Sequence, residues 1–167
     1  MPGEAYMVMH EHVVRHRFPN LVGAYVQAVQ EKLERVVEPA GRLSQPEPSG
    51  WLRTGAIPTS MAADSRVDVP VTLSNQGQEA WHGYGANPVL LSYHWQAHDG
   101  SSIIFDGFRT GLPNSVVHPG ESVQANVRIQ TPGTKGSFKL ILTLVQEGVC
   151  WFEDRGFEVV SRAVEIT

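Results

Sequence analysis

Residues 138–145 read FKLILTLV, the clearest strand pattern in the chain. Every second residue is large and apolar, which is the two-residue period of a β-strand: Phe138, Leu140, Leu142 and Leu144. Ile141 and Val145 make the opposite face apolar as well, as in a strand that is covered on both faces. We therefore expect residues 138–145 to form a central strand of a sheet.

Alternating segments continue on both sides of this strand and are separated by turn signals. The further predicted strands are residues 67–74, 88–97, 102–108, 123–129 and 157–166. Pro70 indicates an edge or a bulge, Asp99-Gly100 is a hairpin signal, and Trp95 is expected in the core. About seven strands with such turns predict a mainly β protein, an immunoglobulin-like antiparallel β-sandwich of about 100 residues.

The sandwich is expected to occupy residues 63–167, after two other segments. Residues 1–37 are predicted to be a helical appendage, and residues 21–36 carry an apolar stripe at helical spacing. That stripe needs a surface to cover it: the sandwich, a second copy of the chain or a further domain. Residues 38–62 are rich in proline and glycine and contain Trp51, so they are expected to form a docked linker.

Composition and charge argue against several functional classes. The chain has 41% hydrophobic and 18% charged residues, and its net charge of −4 gives no reason to expect nucleic-acid binding. The N-terminus lacks the pattern of a secretory signal, and no segment approaches the roughly 18 apolar residues of a membrane helix. We therefore expect a cytoplasmic protein without a membrane span.

Metal and catalytic signals are weak. The single cysteine, Cys150, excludes an intramolecular disulfide and a zinc site built on several thiolates, and it is expected to be a small buried side chain. His12 and His16 share a helix face, but H-E-x-x-H is absent, and so are G-x-S-x-G and the phosphate-binding G-x-x-x-x-G-K-[ST]. No metal, no cofactor and no catalytic residue are therefore predicted.

Two segments place charged residues beside large apolar ones at predicted strand ends. They are residues 106–113, DGFRTGLP, and residues 144–152, LVQEGVCWF. A buried charge needs a partner, so Arg109 is expected to pair with Asp106 or Glu147. The pair is either structural or part of a polar pocket with aromatic walls, in which Arg109 and Glu147 meet the hydroxyls or the carboxylate of a ligand. Asp106 and Glu147 could also supply the two carboxyl groups of a glycosidase, a third and less economical interpretation.

The glycine-rich segment that follows the first predicted strand offers a second candidate surface. Loops carry function more often than strands do. An exposed Trp81 or Tyr84 beside His82 and Asn87 would suit a sugar- or peptide-binding surface. The candidate ligand-binding residues are therefore Trp81, Tyr84, Asn87, Arg109, Glu147 and Trp151.

Several stretches together resemble a known family. They are VTLSNQGQEAW (71–81), PVLLSYHW (88–95), DGFRTGLP (106–113), HPGESV (118–123) and LTLVQEGVCWF (142–152). The chain resembles an immunoglobulin-like module of bacterial proteins that often accompanies glycosyltransferases, methyltransferases and other surface-polysaccharide enzymes. It is also distantly similar to the tryptophan-rich immunoglobulin-like domain of the autophagy receptor called next-to-BRCA1. The shared turns are N-x-G-x-x-W, at Asn75, Gly77 and Trp81 with one extra residue, and P-G-E, at Pro119, Gly120 and Glu121.

This resemblance covers about residues 67–157 and implies an accessory, non-catalytic role. The expected function is a binding module in cell-surface polysaccharide biosynthesis that recognises carbohydrate or a partner enzyme. The alternative is a protein-interaction or oligomerisation module in which the helices of residues 1–37 contact a partner protein or a second copy of the chain.

Overall fold

The computed structural model describes residues 48–167 of the chain. The predicted N-terminal helices, the apolar stripe of residues 21–36 and the pair of His12 and His16 lie outside the described residues. Within residues 48–167 the regular structure is β-strand, apart from one 3-10 turn at Glu153–Arg155.

The strands of this range follow one another with short connections. In chain order they are β1 (Gly50–Arg53), β2 (Ser60–Met61), β3 (Arg66–Asn75), β4 (Trp81–His82), β5 (Val89–Gln96), β6 (Ser102–Ile104), β7 (Val116–Val117), β8 (Ser122–Gln130), β9 (Gly136–Gln146), β10 (Cys150–Trp151) and β11 (Val160–Ile166). Two of them, β6 and β11, are shorter than the predicted strands of residues 102–108 and 157–166. A bulge at Trp95 and Gln96 shifts the pairing of β5 with β6. Glu158 pairs with β1 before β11 begins.

The described strands form two main sheets that share one core. One sheet has the order β1-β3-β8 and the other the order β2-β11-β9-β5-β6, with β10 beside β9, while β4 and β7 pair separately. The pairings of these strands are antiparallel except that of β11 with β2. Pairing β3 with β8 in one sheet and β5, β9 and β11 in the other is the immunoglobulin-like arrangement. The predicted antiparallel sandwich is therefore confirmed for residues 48–167.

Strand β9 lies in the middle of its sheet, between β5 and β11, as the sequence predicts. Leu140, Leu142 and Leu144 are fully buried, and so is Trp95 on the neighbouring strand. The indole N–H of Trp95 donates to the carbonyl oxygen of Gln130 at 3.0 Å, so the polar atom of this core residue is satisfied.

Residues 48–62, the described part of the predicted docked linker, contribute two edge strands to the sandwich. β1 pairs with β3, and β2 pairs in parallel with the end of β11. Leu52 of β1 is buried in the core, while the guanidinium of Arg53 covers the Trp51 ring at 4.5 Å. The proline and glycine content of this segment excludes long elements. Both strands are accordingly short, with four residues in β1 and two in β2.

Pro70 occupies a local edge within β3. β1 pairs with β3 only as far as Thr72, so at Pro70 the strand has β8 on one side. On the other side, the Thr54 hydroxyl donates to the Pro70 carbonyl oxygen at 2.7 Å. A proline has no N–H for a second neighbouring strand, and the predicted edge position is confirmed.

The two turn motifs that carry the family resemblance meet in the structure. The Asn75 side chain accepts the N–H of Gly77 at 3.0 Å and donates to the carbonyl oxygens of Glu79 at 2.8 Å and Val117 at 3.1 Å. The N–H of Gly120 donates to the Asn75 carbonyl oxygen at 2.7 Å. Both motifs therefore have a structural role, since they join the end of β3 to the end of β7 and to the turn before β8.

Trp81 belongs to the core, and the prediction that it is an exposed loop residue is wrong. β4 pairs with β7, and the Trp81 side chain is 1% exposed. Its ring packs edge-on against Phe152 at 5.4 Å and Phe157 at 5.7 Å. A side chain in this position helps to close one end of the sandwich and cannot reach a ligand at the surface.

Candidate functional site

An open groove of about 310 Å³ lies where the turn between β9 and β10 meets the loop after β6. Three of the predicted candidates line it: Arg109, Glu147 and Trp151. Phe105 and Asp106 line it from the loop after β6. The two segments that the sequence singled out therefore form one site.

The Arg109 guanidinium binds both segments. Its Nε donates to the Glu147 carboxylate, and its Nη2 lies 2.6 Å from Oδ1 of Asp106. Its Nη1 donates to the Ser92 hydroxyl at 3.0 Å and to the Gly107 carbonyl oxygen at 2.7 Å. The predicted pairing of Arg109 with a carboxylate is confirmed, and both candidate carboxylates are partners.

The charge of Arg109 is held by these partners. Burial opposes the charge, but the hydrogen bonds and negative charges of Glu147 and Asp106 outweigh burial and raise the pKa of the guanidinium. Arg109 therefore stays charged and is one of the residues that line the groove.

Backbone contacts set the position of each loop. In the first loop, Gly107 lies so close to β5 that an added Cβ would be 2.5 Å from the Tyr93 carbonyl oxygen, so only glycine fits there. In the second, Gly148 has a φ of +69° and closes the turn after Glu147. The Asn87 side chain donates to the Glu147 carbonyl oxygen at 2.8 Å. Asn87 therefore stabilises the turn through this hydrogen bond, and it is not among the residues that line the groove.

A buried polar cluster lies beneath the groove. His94 is 4% exposed, and its Nε2 is 2.6 Å from Oε1 of Glu153, while its Nδ1 bonds to the Phe105 carbonyl oxygen. The Thr143 hydroxyl donates to the other oxygen of Glu153. The two ring nitrogens of His94 thus contact a carbonyl oxygen on one side and a carboxylate on the other.

Glu153 holds the negative charge of this cluster. Burial favours its neutral form, but the hydrogen bonds from His94 and Thr143 outweigh burial and lower the pKa of the carboxyl. Glu153 is therefore the anionic acceptor of the hydrogen bonds from His94 and Thr143.

The cluster supports two aromatic rings at the groove. The Phe105 ring stacks on His94 with 4.7 Å between centroids and 14° between planes, yet Phe105 is 58% exposed. The Trp151 ring meets His94 edge-on at 4.4 Å and Phe105 at 5.5 Å. The Arg109 guanidinium carbon lies 4.9 Å from the centre of the Trp151 ring. Phe105 thus has one face fixed by His94 and a large exposed surface next to the groove.

The remaining loop candidate lies elsewhere. Tyr84 is exposed and contacts His82, with 3.3 Å between its hydroxyl and Nδ1, and neither residue lines the groove. Sequence reasoning missed Phe105, His94 and Glu153. Only the position of Phe105 directly before Asp106 linked it to the site, while His94 and Glu153 lie 59 residues apart and share no motif.

Cys150 lines the groove as a partly buried free thiol. Burial raises its pKa, so the thiol form is favoured and the residue is not an activated nucleophile. Within residues 48–167 no group of three or more His, Cys, Asp or Glu side chains is placed to hold a metal ion. Among these residues, no helix meets the length and apolar content required to span a bilayer.

Comparison with known proteins gives no family. No family model and no curated protein matches the chain. Among solved structures, a CARDB domain from Pyrococcus furiosus shares 12% identity over 74% of this chain and 98% of its own, with a TM-score of 0.44. A β-glucosidase from Listeria innocua in complex with glucose shares 12% identity over 81% of this chain but only 20% of its own, with a TM-score of 0.46. A conjugative transposon lipoprotein from Bacteroides eggerthii shares 9% identity over 69% of this chain and 95% of its own, with a TM-score of 0.35.

These scores are all below 0.5. The strand order itself defines residues 48–167 as an immunoglobulin-like β-sandwich.

Proposed function

We propose that this domain is a non-catalytic binding module that binds carbohydrate in the groove lined by Phe105 and Trp151. The observation that carries the proposal is the Phe105 ring, which is 58% exposed, stacked on His94 and adjacent to the carboxylate of Asp106. An exposed aromatic ring offers an apolar face for the C–H groups of a sugar, and neighbouring carboxylates accept hydrogen bonds from its hydroxyls.

The size and chemistry of the groove support this ligand class. Ligand pockets commonly measure about 300–1,000 Å³ and combine aromatic walls with a few placed polar groups. A groove of about 310 Å³ is at the small end of this range, suited to one or two sugar units of a longer chain. Its open form would let the rest of a polysaccharide pass across the surface.

The arrangement of the carboxylates supports binding over hydrolysis. Glycoside hydrolysis needs one carboxyl group that gives a proton to the leaving oxygen. Asp106 and Glu147 both contact the Arg109 guanidinium, so each of these carboxyl groups already has a partner within the protein. The resemblance to accessory modules of surface-polysaccharide enzymes favours a role in holding glycan near a partner enzyme.

A glycan array followed by calorimetric titration tests the proposal. We expect a defined oligosaccharide to bind, and Phe105→Ala to weaken binding by about tenfold, the loss of roughly 1.4 kcal/mol of stacking. Phe108→Ala is the matched control, because Phe108 is equally exposed on the same loop but packs near Arg66 and does not line the groove. Absence of glycan binding, or equal losses for the two variants, would refute the groove as a carbohydrate site.

A further inference from the structure

We infer that the groove selects neutral glycans and excludes acidic ones, an inference that rests on the proposed carbohydrate binding. The presence of an arginine beside aromatic rings would ordinarily suggest a site for a uronate or another anionic sugar, since arginine is a preferred carboxylate partner. The contacts of Arg109 in this structure lead to the opposite assignment.

The hydrogen-bond donors of Arg109 are directed toward the protein. A guanidinium has five N–H groups. Four contacts engage four of these groups: Glu147 at Nε, Asp106 at Nη2, and the Ser92 hydroxyl and Gly107 carbonyl oxygen at Nη1. The Trp151 ring covers the guanidinium at 4.9 Å. An anionic ligand would therefore meet a cation that two carboxylates already balance and that has one N–H group left, at Nη2.

The charged groups that face outward are acceptors. The Asp106 side chain is 70% exposed and that of Glu147 is 36% exposed, against 26% for Arg109. Two carboxylates and one guanidinium leave a formal charge of −1 on the described residues that line the groove, because the others are uncharged.

Ionised carboxylates accept hydrogen bonds and donate none. The hydroxyls of a neutral sugar can donate to Asp106 and Glu147, whereas the carboxylate of an acidic sugar would meet like charge and find few free donors. Electrostatic complementarity of this kind acts mainly on specificity, by opposing the wrong ligand.

The test uses matched probes: glucose, galactose and mannose oligosaccharides, and the same oligosaccharides oxidised at C6 to uronates. We expect the uronate of the best-bound neutral probe to bind at least about tenfold more weakly at low salt, with the difference reduced at high salt. Asp106→Asn should reduce the difference to less than about threefold, because it removes the most exposed charge and keeps the shape. Asp68→Asn is the matched control, since it removes the charge of a half-exposed aspartate that pairs with Arg128 outside the groove.

The outcomes separate the two proposals. Equal or tighter binding of uronates overturns the selectivity but leaves carbohydrate binding intact. Selectivity that responds equally to Asp106→Asn and Asp68→Asn overturns the assignment to the groove. Binding of neither series overturns the proposed function and the selectivity with it.

Discussion

Arg109 is the residue that joins the two loops of the groove. Its guanidinium contacts Asp106 and Gly107 in its own loop, Glu147 in the turn after β9, and Ser92 inside β5. Exposed ion pairs add little to stability, but loss of Arg109 would also remove its hydrogen bonds to the buried Ser92 hydroxyl and to the carbonyl oxygen of buried Gly107. These contacts favour the structural interpretation of Arg109 over direct contact with a ligand.

Replacement of Arg109 by alanine is expected to lower the free energy of unfolding by about 1–3 kcal/mol, the usual cost of leaving buried hydrogen-bonding groups unpaired. Glycan affinity per folded molecule should fall less than it does in Phe105→Ala. Urea denaturation and calorimetry measure the two quantities. Arg128→Ala, which breaks the exposed pair with Asp68, is the control and should cost clearly less. A stable Arg109→Ala protein that binds no glycan would instead make Arg109 a ligand-binding residue.

At the scale of elements, the buried cluster connects three parts of the sandwich. His94 belongs to β5, Thr143 to β9, and Glu153 to the 3-10 turn that leads toward β11. The Phe105 ring lies flat on His94, so the cluster sets the angle of this aromatic surface. Its geometry therefore affects both stability and the proposed binding surface.

The lowered pKa of Glu153 gives this cluster a defined pH dependence. The unfolded carboxyl, with a pKa near 4.5, takes up a proton before the folded one does. The stabilisation by Glu153 is therefore fully present above pH 4.5 and is lost as the pH falls through the folded pKa. Glu153→Gln should be less stable than the native protein at pH 7, with a gap that narrows below pH 4.5.

Urea denaturation at several pH values between 3 and 7 measures this gap. Glu158→Gln is the control, since the side-chain carboxylate of Glu158 lies 4.0 Å from the guanidinium of exposed Arg53. A gap that stays constant over this pH range would show that the charge of Glu153 does not stabilise the fold.

At the scale of the whole molecule, the sandwich is held by packing between its two sheets. The chain has one cysteine, so no disulfide links the sheets within a chain. Apolar residues of both sheets form one continuous cluster, which includes Leu73, Val127 and Ile129 on one side and Leu91, Leu142 and Val164 on the other. Within residues 48–167 this core includes two tryptophans, Trp81 and Trp95.

Removal of residues 1–37 is therefore expected to leave a folded sandwich that keeps its β-type circular dichroism signal. The apolar stripe predicted for residues 21–36 needs a partner, so the truncation should change the oligomeric state. Light scattering on the full and truncated chains compares the numbers of subunits. An unchanged number would argue against the alternative function as an oligomerisation module, and loss of the fold would show that residues 1–37 complete the core.

The sequence by itself determined the strand content, the central position of β9, the core position of Trp95 and the need of Arg109 for a carboxylate. These features follow from local alternation and from the cost of burying an unpaired charge, both visible in the order of residues. The short strands β1 and β2 were not predicted, because their pairing with β3 and β11 stabilises segments whose own composition disfavours strands.

Only the tertiary structure decided which aromatic residues are exposed. Trp81 and Phe105 both adjoin turns in the sequence, but Trp81 packs against Phe152 and Phe157, whereas Phe105 rests on His94 with much of its surface free. The contact of His94 with Glu153 likewise joins residues far apart in the chain. Burial depends on what the rest of the chain places against a residue, and that information is not contained in the residue's own neighbourhood.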